Sequence, residues 1–129
     1  MAKIQEFEDL EIWQKARDLC NEVWELIETT SLATDYKLRN QMNSSSGSVM
    51  DNIAEGFERN GNREFVQFLS IAKASCGELR SQLYRCFDRN HIKEEVFELL
   101  TDQAKVESRK IGAFKGYLKK SERKGSKFD

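Results

Sequence analysis

One histidine, three cysteines and a few paired carboxylates are all that this 129-residue chain offers to catalysis or metal binding. A di-iron helical site needs glutamates from two helices plus two Glu-x-x-His motifs, and His91 stands alone at a predicted turn. A Cys/His zinc site would need Cys76, Cys86 and His91 to converge, yet the two cysteines point about 80° apart on one helix and match no common zinc spacing. The cysteines, with Cys20, show no CxxC spacing and read as reduced, buried small hydrophobes. A serine nucleophile needs a general base, and His91 follows no nucleophile motif. Glu55 and Arg59, four apart, read as a helix ion pair rather than an acid/base pair. An enzyme would need carboxylates such as Glu55 and Glu78 to converge in a cavity. The expectation is no catalysis, no cofactor and no metal.

"GFERNGNR", Gly56–Arg63, carries the glycine spacing of a phosphate-binding loop. It puts Asn62 and Arg63 where a lysine and a Ser/Thr are needed, and it joins helix to helix rather than strand to helix. Gly61 is better read as a helix-ending residue in left-handed conformation. "NSS" at Asn43 matches a glycosylation acceptor, which has no meaning in a chain that is not secreted.

The elements that must position these groups are helices. The chain has no proline, and 33% of it is charged. Its length suits one domain with its own core. At about 100° per residue, Ile12, Trp13, Ala16, Leu19, Val23 and Ile27 share one face, with Asp9 as a plausible cap. Phe65, Leu69, Ala72, Cys76, Leu79, Leu83 and Cys86 form the cleanest stripe, with Asn62 as candidate N-cap. Val96, Leu99, Leu100, Ile111, Phe114 and Leu118 line the last segment. Gln103, Glu107 and Lys110 interrupt that last stripe. Because a buried unpaired Glu107 is costly, they are expected at an edge, the other reading being partners on another chain. The expected spans are residues 9–29, 35–60, 63–89 and 92–120, with Thr34 or Asp35 capping the second and a frayed basic tail at 121–129.

The second segment contains Ser44, Ser45, Ser46, Gly47 and Ser48, which resembles a linker. Leu38, Met42, Ser45, Val49, Ile53 and Gly56 nevertheless form a stripe about 80° wide, with Met50, Ala54, Phe57 and Gly47 beside it. A linker has no such periodicity. The combined apolar arc predicts burial on two sides, against the chain's own core and another subunit; the competing reading is a central helix of a monomer.

Net charge is −1, so bulk electrostatics do not announce a nucleic-acid binder. The charge is segregated, however. Residues 1–30 hold eight acids against three bases, and residues 103–129 hold nine bases against three acids. Lys115, Lys119, Lys120, Arg123, Lys124 and Lys127 form the candidate nucleic-acid contact; the competing reading is a solvated tail. No apolar run has signal-peptide or membrane-span length, so the expected location is the cytoplasm with no membrane partner.

"FEDLEIWQKA", "LRNQMNSSSGSVMDNIAEGFERN" and "EFVQFLSIAKASCGELRSQL" resemble the bacterial four helix bundle proteins, also called 23S ribosomal RNA intervening-sequence proteins, from about Phe7 to Leu118. The resemblance implies an up-down-up-down antiparallel bundle and a ring-like homopentamer. It implies no established biochemical role. The accessory variability protein of diversity-generating retroelements, similar in shape, binds nucleic acid and a reverse transcriptase. That precedent points to a non-enzymatic scaffold with an RNA or nucleic-acid-associated partner, the alternative being a protein-binding scaffold. Asn52, Ile53, Ala54, Glu55, Gly56, Phe57 and Arg59 sit on the family signature, which the resemblance makes a packing and assembly element. Two positions depart: the family often has a basic pair followed by alanine at Asn43–Ser45 and glycine at Ala74. The first departure removes positive charge.

Overall fold

The computed structural model describes residues 3–123. Four helices follow one another: α1 (Glu11–Thr29), α2 (Tyr36–Phe57), α3 (Asn62–Asp88) and α4 (Glu94–Arg123). Each packs on the next in sequence, and α1 closes the bundle against α4. Cross-helix bonds fix the antiparallel sense. Ser45 Oγ donates to Gln82 Oε1 at 2.6 Å, and Ser75 Oγ to Ser48 Oγ at 2.9 Å, so residue numbers rise on α2 as they fall on α3. Gln103 Nε2 to Glu22 Oε1 and Lys110 Nζ to Glu11 Oε1 do the same for α4 and α1.

The apolar stripes meet inside. One half of the core gathers Leu19, Val23, Leu38, Met42, Leu79, Leu83 and Leu100; the other gathers Ala16, Val49, Ile53, Phe65, Leu69, Cys76 and Ile111. Burial pushes the Cys76 thiol up to about 12, the nearby Glu107 adding to the effect, and Cys86 up to about 11, again chiefly by burial. Both are therefore inert side chains of the core. Cys20 is half-buried, and all three are free thiols.

The serine run is helical throughout, and α2 packs between α1 and α3 of its own chain. Ser45 and Ser46 are buried, and each hydroxyl also returns a bond to a carbonyl of the preceding turn. Of the second apolar region, Phe57 is buried in the chain's own core while Met50, Ala54 and Gly47 are half-buried.

Several helix ends differ from expectation. Asp9 caps a 3-10 turn at Phe7–Asp9, accepting from the backbone N–H groups of Gln5 and Glu6, and α1 starts after it at Glu11. Helix α2 stops at Phe57 rather than residue 60, and Gly61 (φ 91°, ψ 160°) precedes α3 instead of ending α2, in a backbone region open to glycine. Asn62 is the first residue of α3 and sends Nδ2 to Leu118 O. Helix α3 ends where Asn90 takes a left-handed conformation (φ 62°), with His91 N–H bonded to Cys86 O and Asn90 N–H to Phe87 O, the double closure of a Schellman motif. Helix α4 begins at Glu94, two residues late, and runs on to Arg123 instead of fraying from 121. Glu107 is not at an edge: it is 1% exposed between α4 and its neighbours.

Candidate functional site

Chemistry-bearing side chains converge at one end of the bundle, where the α1–α2 connection meets the α3–α4 turn. A 3-10 turn at Ser31–Thr34 is capped by Thr30, whose Oγ1 accepts from Leu32 N–H. It places Ser31 Oγ 2.7 Å from His91 Nδ1. His91 Nε2 lies 3.0 Å from Asp35 Oδ2, and Arg89 Nη1 donates to the same oxygen at 2.9 Å. The bonds to His91 and Arg89 hold the Asp35 carboxyl down to about 2. An ionised carboxylate only accepts, so Nε2 carries a proton toward Asp35, and Nδ1 faces the Ser31 hydroxyl.

The order serine, imidazole, carboxylate is that of a hydrolytic relay. Here the same carboxylate oxygen also accepts from the Arg89 guanidinium, so Asp35 stays ionised and divides its hydrogen bonding between ring and guanidinium. Together the four residues fasten two connections that lie about 60 residues apart in sequence. Sequence reading placed His91 on its turn but missed Ser31 and gave Asp35 only a capping role. Asp35 does stand at the N-cap position of α2, yet its side chain makes no cap bond there. No local pattern could signal a cluster assembled from two connections about 60 residues apart in sequence.

The signature residues lie at the opposite end, on the last two turns of α2. Ile53 and Phe57 are buried, with Phe57 edge-on to Phe65 at 6.1 Å. At Gly56 the two helices touch: an added Cβ would stand 2.7 Å from Phe68 Cβ and 2.8 Å from Phe65 Cδ1. Asn52 is half-buried, its Nδ2 bonded to Ser48 O at 2.8 Å and Ser48 Oγ at 2.9 Å. Ala54 is half-buried, and Glu55 pairs with Arg59 on the surface at 3.3 Å, with Arg59 also over the Phe68 ring. The signature is thus foremost a packing element between α2 and α3 of one chain.

Of the C-terminal cations, Lys119 and Lys120 are exposed and Lys115 is half-buried. Lys124 and Lys127 lie outside the described residues, as does the Arg123 side chain. Helix α1 begins beside this end, and its acids offset part of the charge, as Glu11 does toward Lys110 at 2.6 Å.

Among the described residues, no three His, Cys, Asp or Glu stand where they could share a metal ion. Nor is any described helix long and apolar enough to cross a membrane.

The profile of the family described as "23S rRNA-intervening sequence protein" matches residues 8–113. The chain belongs to the 23S rRNA intervening-sequence protein family. A crystal structure of a protein of unknown function from the S23 ribosomal protein family of Bacteroides thetaiotaomicron superposes with a TM-score of 0.74, over 81% of this chain and 97% of that one. At 18% identity the likeness extends to the fold. No curated protein matches. Family membership assigns no task to the Ser31–His91–Asp35 cluster.

Proposed function

We propose that this chain is a non-enzymatic, self-assembling scaffold of the cytoplasm, and that the assembly contacts RNA through its C-terminal lysines. The observation that carries assembly is the number of large apolar side chains left outside. Trp24, Tyr36, Ile71, Tyr84 and Leu99 are each about half exposed or more, spread over all four helices. Tyr84 meets Phe97 edge-on and Tyr36 lies under Arg39 within the chain, but their outer faces and those of Trp24, Ile71 and Leu99 stay in water, and a ring would cover them. Five subunits is the number implied by the resemblance stated above. Light scattering should return a multiple of the 15.0 kDa chain mass, five being the expected multiple. A clean monomer at micromolar concentration would overturn the reading.

Support for RNA contact comes from Lys115 and Lys119, one helical turn apart, with Lys120 adjacent. A ring repeats this small patch once per subunit, and affinity for a polyanion rises steeply with the number of phosphates engaged. Filter binding to structured ribosomal RNA at two salt concentrations tests it. Binding should weaken with salt and should be lost when the three lysines become glutamates. No binding at low salt removes the RNA contact. The acidic outer face of α1 with half-exposed Trp24 favours the alternative, a protein-binding scaffold with no nucleic-acid contact. Partners captured from lysate that survive nuclease would decide for it.

A further inference from the structure

The seam between α1 and α4 is the least complete contact of the bundle, and a carboxylate is buried in it. Glu107 is 1% exposed, and neither carboxylate oxygen has a hydrogen-bond partner. One turn earlier on the same face of α4, Gln103 reaches Glu22 at 3.4 Å, a long bond, while Gln103 Oε1 and Glu22 Oε2 are buried without partners. On the other side of Glu107, Lys110 holds Glu11 at 2.6 Å. Between these two ties opens a cavity of about 160 Å³, walled by Lys15, Asp18 and Leu19 from α1 and by Asp102, Gln103 and Val106 from α4. Four orphaned acceptors along one seam are unusual in a folded interior, where buried polar atoms nearly always find partners.

The groups acting on Glu107 come from each neighbouring face. Helix α1 brings Lys15 and Glu11, and α4 itself brings Lys110. Helix α3 brings the buried Cys76 thiol, which also feels Lys73 and Arg80. Burial favours the protonated acid and Glu11 reinforces it, while Lys15 and Lys110 oppose. The protonated form fits the dry seam. The ionised form would be a buried charge with no hydrogen bond, so the cheaper response is to admit water or a cation. On this side the weaker hold is on α1, which meets α4 only briefly and is packed mainly along α2, whereas α3 is packed along both α2 and α4. Lys15, exposed on α1 and lining the cavity, is placed to meet the charge once the seam loosens.

We propose that this seam is a proton-operated latch: α1 lies closed against α4 while Glu107 carries its proton, and releases, admitting water to the buried carboxylate, when the proton leaves. Burial, which pushes the Glu107 carboxyl up to about 8, places the transition just above neutrality. The fold of α2, α3 and most of α4 does not depend on it.

Amide hydrogen exchange on the full chain tests the latch, at about pH 6 and about pH 9.5 with intrinsic rates corrected. In the wild type, α1 amides should lose protection by about tenfold or more between the two, while those at the centre of α3 stay constant. Glu107→Gln, a neutral side chain of the same shape, should hold α1 equally protected at both. The carboxyl ¹³C resonance of Glu107 supplies an independent readout, and its titration midpoint should coincide with the loss of α1 protection. Equal behaviour of wild type and variant overturns the latch. So does a Glu107 that titrates in the ordinary carboxylate range while α1 stays closed.

Discussion

Gly56 offers the sharpest test of how α2 and α3 are held. In Gly56→Ala the new methyl group would lie 2.7 Å from Phe68 Cβ and 2.8 Å from Phe65 Cδ1. Phe68 Cβ sits one bond from its backbone, so no rotation of that side chain relieves the contact. The helices must part by roughly 0.7 Å to restore an ordinary separation, weakening the dispersion contacts that the close approach supplies. Phe65 cannot yield freely either, being fully buried and edge-on to both Phe57 and Phe114. Overpacking of this kind costs about 1–3 kcal/mol, and replacing a helical glycine by alanine returns about 1 kcal/mol. A contact of 2.7 Å to a Cβ puts the cost in the upper half of that range, so the net loss expected is about 1–2 kcal/mol, or a urea midpoint lower by roughly 1 M. Gly47 is the control on the same helix. An added Cβ there meets nothing within 4 Å, so Gly47→Ala should stabilise by up to about 1 kcal/mol. Equilibrium urea unfolding followed by far-UV circular dichroism measures both. The reasoning is refuted if Gly56→Ala matches or exceeds the wild type in stability, or if the two variants shift the same way.

Asp35→Asn should destabilise the chain at neutral pH by weakening the bonds to His91 and Arg89. The Asp35 carboxyl is depressed, so its stabilisation is present above its ordinary value of 3.8 and lost as pH falls through about 2; thermal melts of wild type and variant should converge across that window. Glu107 has the opposite sign. Its carboxyl is raised from an ordinary 4.5 to about 8, so the unfolded chain releases a proton that the folded chain keeps, and stability falls as pH rises between those values. At about 1.4 kcal/mol per pH unit, Glu107→Gln should gain several kcal/mol over wild type near pH 8 and little near pH 4, read from urea midpoints across pH. Ser45→Ala removes the buried donor to Gln82 Oε1 and should cost about 1–3 kcal/mol by chemical denaturation; a neutral result would mean that another donor reaches that oxygen.

Period and spacing made the helices legible, because a stripe such as Phe65, Leu69, Ala72 and Cys76 has few ways to be buried other than on one helical face. The same argument carried the serine run into α2, against the weak helix preference of serine and glycine. What failed was local capping. Asp9 and Asn62 are good cap residues by type, but one serves a preceding 3-10 turn and the other bonds to α4, because the chain path around each decides which orphan group is in reach. Glu107 failed for a related reason. Its cost argued for an edge, yet Leu100, Ala104, Ile111 and Leu118 on the same helix are buried, and the face they define carries Glu107 inside with them. The Ser31, Asp35 and His91 cluster lay beyond sequence reading, since each residue alone is an ordinary turn residue.

The charge asymmetry shows how a linear pattern changes meaning in three dimensions. Acids crowd the first thirty residues and bases the last part, which in sequence resembles a molecule with an acidic and a basic end. In an antiparallel four-helix bundle the first and last helices are neighbours, with the start of one beside the end of the other. The segregation therefore becomes lateral: the acidic helix lies along the basic one, and Glu11 takes Lys110 out of any cationic patch. Lys115, Lys119 and Lys120, beyond the start of α1, keep a field that a polyanion could feel. Polyanion contact by a single chain is therefore weak by construction. On the proposed function, it would become appreciable only where assembly repeats those lysines, so salt dependence and subunit count would be two readings of one property.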